Sequence, residues 1–267
     1  MHLSLEQLEE FDRPATGLVR ARTVSFVRHA PTGIRMAKRA VFISLKQYLV
    51  DKVTRQFQFL QDCRSEYTTL YYGIFSAGSH VQICSEYMDK GPLAAILKKH
   101  GPIHVAIAGK IAFAVLHGLV YLYDNHRIAH RDVKPSNILL NSKGEIKLCD
   151  FGIYSILEEY MPLPDLLDDF SIYQSPERIQ NLPFTSTADT WSLGITLIEF
   201  VQGRHPYEEL GLSLVELPYH IVNEPVPRVK FDDCGVRPAP KAMLKHGWIL
   251  RSGKDTSVSV EAWARNV

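Results

Sequence analysis

The chain has 267 residues, 46% of them hydrophobic, with four cysteines and thirty basic against twenty-nine acidic side chains. Such a chain can bury one large core or two modest ones, and it is neither low-complexity nor acidic enough to stay disordered. A formal charge of +1 supplies no field drawing it to nucleic acid or to a membrane surface, so any preference for charged ligands is local.

From about 18 to 43, β-rich pieces flank the turn APTG, whose Pro31 and Gly33 predict a hairpin. Residues 46–62 place Leu49, Val53, Gln56, Phe57 and Leu60 at helical spacing with one inward face. Strands follow around 67–75 and 80–87. After MDKG at 88–91 the texture turns helical, in LAAILKKH, in 105–124 and in TWSLGITLIEFVQG at 190–203, with Gly91-Pro92 as the expected connector. The apolar run IAFAVLHGLVYLY at 111–123 is interrupted by His117, preceded by Lys110 and shorter than the ~20 residues of a membrane span, so a buried helix is expected. Cys63, Cys84, Cys149 and Cys234 lack metal-type spacing, and no secretion signal opens the chain. That suits a cytoplasmic, and also a nuclear, setting.

The stretch HRDVKPSN, residues 130–137, gathers a carboxylate, an ammonium and a carboxamide. Thirteen residues on from Asn137 comes Asp150, across a strand, a Lys143-Gly144 turn and a second strand, a hairpin able to return Asp150 beside Asp132 and Asn137. Asp150 and Asn137 are hard oxygen donors suited to Mg²⁺, Asp132 can orient a hydroxyl, and Lys134 can neutralise a moving phosphoryl group. Phosphoryl transfer is the chemistry implied.

These residues match the signature H-R-D-L-x-x-x-N followed by D-F-G, with SPE at 175–177 in the place of A-P-E and ADTWSLG at 188–194 and Arg237 in kinase order. More narrowly, HRDVKPSNILLNSKGEIKLCDFG, SPERIQ, YHIVNEPVPR, LKHGWIL and VEAWA resemble the MAP kinase kinases, above all fungal ones, over about residues 5–265. The resemblance implies an α+β, bilobal protein-kinase fold. Residues 1–87 would form a small lobe with a five-stranded sheet and one regulatory helix, and 88–267 a larger helical lobe carrying the catalytic and activation loops. It also implies ATP with Mg²⁺ as donor, a MAP kinase as acceptor, and an upstream MAP kinase kinase kinase, while the balanced charge and the short apolar run give no expectation of a nucleic-acid or membrane partner.

The family's other site positions carry over with changes. In the glycine-rich loop only Gly17 and Val24 survive, although Arg20 and Arg22 could reach phosphate as side chains. In MAKR the best alignment puts Ala37 and Arg39 on the nucleotide face and turns Lys38 away, unless a bulge brings Lys38 in. Arginine keeps the charge of the family's lysine but not its compact shape. Its glutamate partner becomes Gln56, leaving at best an amide-to-guanidinium hydrogen bond, and the lost charge-assisted bond is worth roughly 1.5–3 kcal/mol. Glu86 to Met88 would offer the adenine edge its backbone groups behind Ser85, with Val24, Ala37 and Leu139 lining the adenine side. Leu60, Tyr71, His130 and Phe151 match the apolar stack that links kinase lobes.

The activation segment has Phe170 where the family has a threonine. Its five acids, Glu158, Glu159, Asp165, Asp168 and Asp169, are either phosphate mimics for Arg131 or a solvated loop. Nine residues, 228–236, replace a whole helix of the family, which shortens the helical lobe. Cys149 is expected to be a buried, inert thiol. The basic residues of the first lobe, Arg28 and Arg35 among them, are scattered by strand alternation, against a nucleic-acid surface. Two functions stay open: a MAP kinase kinase of reduced activity, or a pseudokinase acting as a nucleotide-binding or scaffold module.

Overall fold

The computed structural model describes residues 3–12, 24–43, 47–157, 159–160, 172–213, 215–227 and 239–267. The described residues within Met1–Met88 and Ser155–Asp168 form one compact unit, and those within Asp89–Tyr154 and Asp169–Val267 form another.

In the first unit, β1 (Leu8–Asp12), β2 (Val24–His29), β3 (Arg35–Phe42), β4 (Tyr71–Ala77) and β5 (His80–Glu86) make a five-stranded sheet in the order β1-β2-β3-β5-β4. The hairpin expected around Gly33 is β2–β3, and Gly33 adopts the left-handed φ of 71° that its turn requires. Strand β1, at a stretch whose own pattern did not predict a strand, pairs with the outer edge of β2. One sheet face buries Leu3, Val27, Met36 and Cys84 together. Helix α1 (Gln47–Gln58), continued by a 3-10 turn to Asp62, packs on β4 and β5. Its buried side is Val50, Val53 and Phe57 with Leu60 beyond, close to the predicted face, whereas Leu49 and Gln56 are only half-buried.

The second unit begins at Asp89. Gly91–Pro92, expected as a connector, is instead the short strand β6, paired with β7 (Ile138–Leu140), which pairs in turn with β8 (Ile146–Leu148). Helices α2 (Leu93–His100) and α3 (Val105–His126) follow the predicted positions. At 22 residues α3 is longer than its apolar run suggested and is apolar enough to cross a membrane by composition. It is nonetheless a core helix: Ile107, Ile111, Leu116 and Leu122 are buried. Beyond β8 come α4 (Ile153–Leu157), α5 (Pro176–Ile179), α6 (Ser186–Gln202), α7 (Glu216–Asn223), α8 (Pro240–Met243), α9 (Gly247–Lys254) and α10 (Val260–Asn266). Helix α3 packs against α6, α8 and α9.

The β7–β8 turn holds Gly144 at φ 80°, and a Cβ there would lie 2.5 Å from the backbone nitrogen of Glu261 in α10. Only glycine fits both the turn and that contact. The shortened stretch 228–236 and Arg237 lie outside the described residues.

Candidate active site

The loop His130–Asn137 is fixed by bonds from three directions. Asp189, buried in α6, accepts the backbone N–H of His130 at 2.9 Å and of Arg131 at 2.8 Å. Those bonds hold Arg131 at φ 67°, a left-handed conformation that a residue with a Cβ adopts at a cost. Burial pushes the Asp189 carboxyl up from its ordinary range, while the two backbone N–H bonds and the Arg131 guanidinium pull it back. His130, fully buried, places Nε2 3.0 Å from the carbonyl of Cys149 and Nδ1 3.3 Å from the N–H of Asp132. A ring protonated on Nε2 satisfies both, donating to the carbonyl and accepting from the amide.

The hairpin returns where the spacing predicted. The N–H of Cys149 donates to the carbonyl of Asn137 at 3.0 Å, so both polar groups of the residue before Asp150 are bonded to the loop. Asp150 itself has φ 61°, and Phe151 after it is fully buried. Cys149 is buried, as expected.

Asp132 is the centre of the cluster. Lys134 brings Nζ to 2.8 Å from its Oδ1, and Asn137 Nδ2 donates to its Oδ2 at 2.8 Å and to its backbone carbonyl at 2.7 Å. Each carboxylate oxygen thus faces a donor, which fixes its orientation. Both amide hydrogens of Asn137 are spent on Asp132, so the amide is held in one flip state with its oxygen able to accept a cation. That oxygen and the Asp150 carboxylate are hard donors fitting Mg²⁺ rather than a softer metal. Leu139 stands in β7 opposite Pro92 and Lys147.

Beside Asp132 a pocket is lined by Arg131, Tyr173, Gln174, Ser175, Arg178 and Phe184 among others. Arg131 and Arg178 set their guanidinium carbons 4.9 and 5.7 Å from the Phe184 ring centre, cation–π distances. Tyr173 donates its hydroxyl to Glu199 at 2.6 Å and accepts from Ser192 on its carbonyl at 2.8 Å. Sequence reasoning missed this support; its one local signal is the position of Tyr173 two residues before the SPE motif.

The first unit holds the remaining described residues of the expected nucleotide set. Val24 lies opposite Arg39 across the β2–β3 ladder, and Ala37 shares their face by strand alternation. Neither ladder of β3 contains a register shift. Lys38 is therefore on the other face, opposite Cys84, with Nζ 3.6 Å from Glu10. This corrects its inclusion among the nucleotide residues: the bulge that would have turned it inward is missing from β3.

Gln56 does not form the hydrogen bond expected with Arg39. Its Nε2 donates to Glu159 at 3.2 Å, and its amide oxygen is buried without a hydrogen-bond partner among the described residues. One turn earlier on α1, Lys52 sets Nζ 5.5 Å from the ring centre of Tyr160. Glu159, one of the five acids considered as phosphate mimics, is thus engaged by α1. Glu86 donates its N–H to the carbonyl of Leu70 at 2.8 Å and accepts the Leu70 N–H on its carboxylate at 3.2 Å, so its N–H is not among the donors for a base. Met88 is buried. Leu60 and Tyr71 are buried in this unit, as His130 and Phe151 are in the other. Gly17, Arg20, Arg22, Glu158, Asp165, Asp168, Asp169 and Phe170 lie outside the described residues.

Residues 21–223 match the protein kinase domain family. The dual specificity protein kinase FUZ7 of Mycosarcoma maydis is 35% identical over 313 aligned positions, covering 91% of this chain and 71% of FUZ7. The mitogen-activated protein kinase kinase MST7 of Pyricularia oryzae is 36% identical, covering 91% of this chain and 64% of MST7. The dual specificity mitogen-activated protein kinase kinase dSOR1 of Drosophila melanogaster is 35% identical over 301 positions, covering 98% and 75%. All three alignments, the one to MST7 running over 269 positions, are longer than the 267 residues of the chain, so the aligned parts of those relatives carry segments that this chain lacks.

Proposed function

We take as premise that this chain belongs to the protein kinase family, among its MAP kinase kinases, and propose that it phosphorylates hydroxyl side chains of a MAP kinase, using the Asp132 cluster. The observation that carries the reading is the convergence of Lys134 and Asn137 on the two oxygens of Asp132.

Protein kinases use ATP with Mg²⁺, and the group supplies the γ-phosphoryl and the charge neutralisation its transfer needs. From the second unit, the Asn137 amide oxygen and the Asp150 carboxylate would hold the cation, and Leu139 would line the base. From the first, Val24, Ala37, Glu86 and Met88 would supply the base side and Arg39 the cationic contact. Asp132 accepts the hydrogen bond of the acceptor hydroxyl and aligns its lone pair. Lys134, already in contact with Asp132, offers its ammonium to the charge that develops on the transferred group. Similarity to the MAP kinase kinases MST7 and dSOR1 supports a MAP kinase as acceptor and, by extension, a MAP kinase kinase kinase upstream. We also place the protein in the cytosol or nucleus, a reading supported by the free thiols of Cys63, Cys84 and Cys149.

Two paired measurements test this: the shift of thermal midpoint by Mg·ATP, and phosphate incorporation into a catalytically dead MAP kinase, each repeated with Asp150→Asn. Incorporation that the substitution abolishes is the expected result. A midpoint shift with no incorporation overturns the enzyme in favour of a nucleotide-binding scaffold, the reading that Arg39 and the Gln56–Glu159 bond favour.

A further inference from the structure

Helix α7 is apolar on two sides. Leu217 and Ile221 are buried with Trp191, Ile195 and Tyr207. On the opposite side Val215, at the start of the helix, is 85% exposed and Tyr219, one turn on, is 71% exposed. A surface helix needs one apolar stripe; a second that faces water marks a contact surface. The stretch is rich in acid: residues 205–227 hold four glutamates and no lysine or arginine, one of the four, Glu209, being paired with Arg204 just before it. Glu208, Glu216 and Glu224 are exposed.

The complement lies in the same unit. Residues 245–254, KHGWILRSGK, hold three cations and no acid, and Lys245, Arg251 and Lys254 are exposed around Leu250, itself 43% exposed on α9. The inner side of that helix, Ile249 and Ser252, is buried, so its cations and Leu250 form an outward face.

We propose that the α7 face docks on the α9 face of a second copy of this chain, in a two-fold pair in which each copy offers both. Charge selects this occupant: α7 against α7 would oppose glutamates, α9 against α9 would oppose cations, and only the exchange pairs unlike charges around apolar centres. Two-fold symmetry makes the contact twice over, which helps two small patches approach the ~1,200 Å² or more of a stable interface.

The test is the molar mass of the full chain in solution, by light scattering and sedimentation, from low micromolar to the solubility limit at low and high salt. The mass of a pair is expected at high concentration, weakened by salt. Glu208→Lys with Glu224→Lys, which spares the Ser213 contacts of Glu216, and Arg251→Glu with Lys254→Glu should each weaken association by about tenfold or more. An equimolar mixture of the two variants should restore the pair, and Tyr219→Ala should weaken it without changing the salt slope. Matched thermal midpoints confirm folding, and charge-neutral Gln versions replace any reversal that disturbs it. A chain monomeric throughout, a pair indifferent to both reversals, or folded variants whose mixture stays monomeric would each overturn the proposal. Because the readout is mass, the result is independent of whether the protein is an active kinase.

Discussion

Each carboxylate oxygen of Asp132 has its own donor, and the loop around it is bonded to Asp189, to Cys149 and to itself. Gln56, by contrast, donates to Glu159 and leaves a buried oxygen with no hydrogen-bond partner among the described residues, while Lys38, next to Arg39, is paired away with Glu10. Both regions hold residues of the same expected chemistry, yet only the first is built so that its groups position one another. Preorganised polar groups do not have to reorganise during reaction, whereas a mismatched pair must first break a contact made elsewhere. On the proposed function, the chemistry rests on the loop, and the mismatched contacts of the sheet and α1 are where rate would be lost.

The largest expected effect would break the comparison on its strong side. Asp132→Asn should lower phosphate incorporation about a thousandfold, within the range of a lost general base or orienting group, with little change in the Mg·ATP midpoint shift. An unchanged rate would show that the cluster is ornamental. Asp189→Ala comes next. It leaves two buried N–H groups unsatisfied at about 1–3 kcal/mol each, so the denaturant midpoint should fall by the equivalent of about 3 kcal/mol and activity with it.

On the weak side, Arg39→Lys combined with Gln56→Glu should raise turnover about tenfold or more, the return of a charge-assisted bond worth roughly 1.5–3 kcal/mol. Either change alone should do less, and a double variant no faster than the parent would refute the assignment. The smallest effect is a pH dependence. His205 is buried and its pKa is lowered to about 4 by desolvation. An imidazole ordinarily titrates near 6.5, so below that value the unfolded chain takes up a proton that the folded chain refuses. Stability should therefore fall as pH drops from about 6.5 towards 4, by about 2 kcal/mol, and His205→Phe should flatten that part of the curve. Glu199, raised by burial, acts in the opposite sense and is unaffected by that substitution.

The loop was legible because its information is local. A turn at Lys143-Gly144 between short apolar runs specifies a hairpin, and the hairpin specifies where Asp150 returns. The orientation of Arg39 was legible for a similar reason, since alternation along β3 fixes faces once no bulge intervenes. The partner of Gln56 lies 103 residues away and that of His130 59 residues away, and no periodicity reaches that far. Strand β1 escaped because LEEFD alternates poorly and draws its place from β2. The Tyr173–Glu199 bond joins the SPE approach to the last turn of α6, a tertiary meeting that composition does not announce.

Gly144 carries a consequence for anyone reading variation in this protein. With Glu261 against the position where its side chain would begin, a saturation library should show residue 144 as intolerant as a reactive carboxylate, though it touches no substrate. Part of the defect would trace to a displaced α10 prising open the ribbon that delivers Asp150; loosening that helix should relieve this part and leave the cost of the left-handed turn.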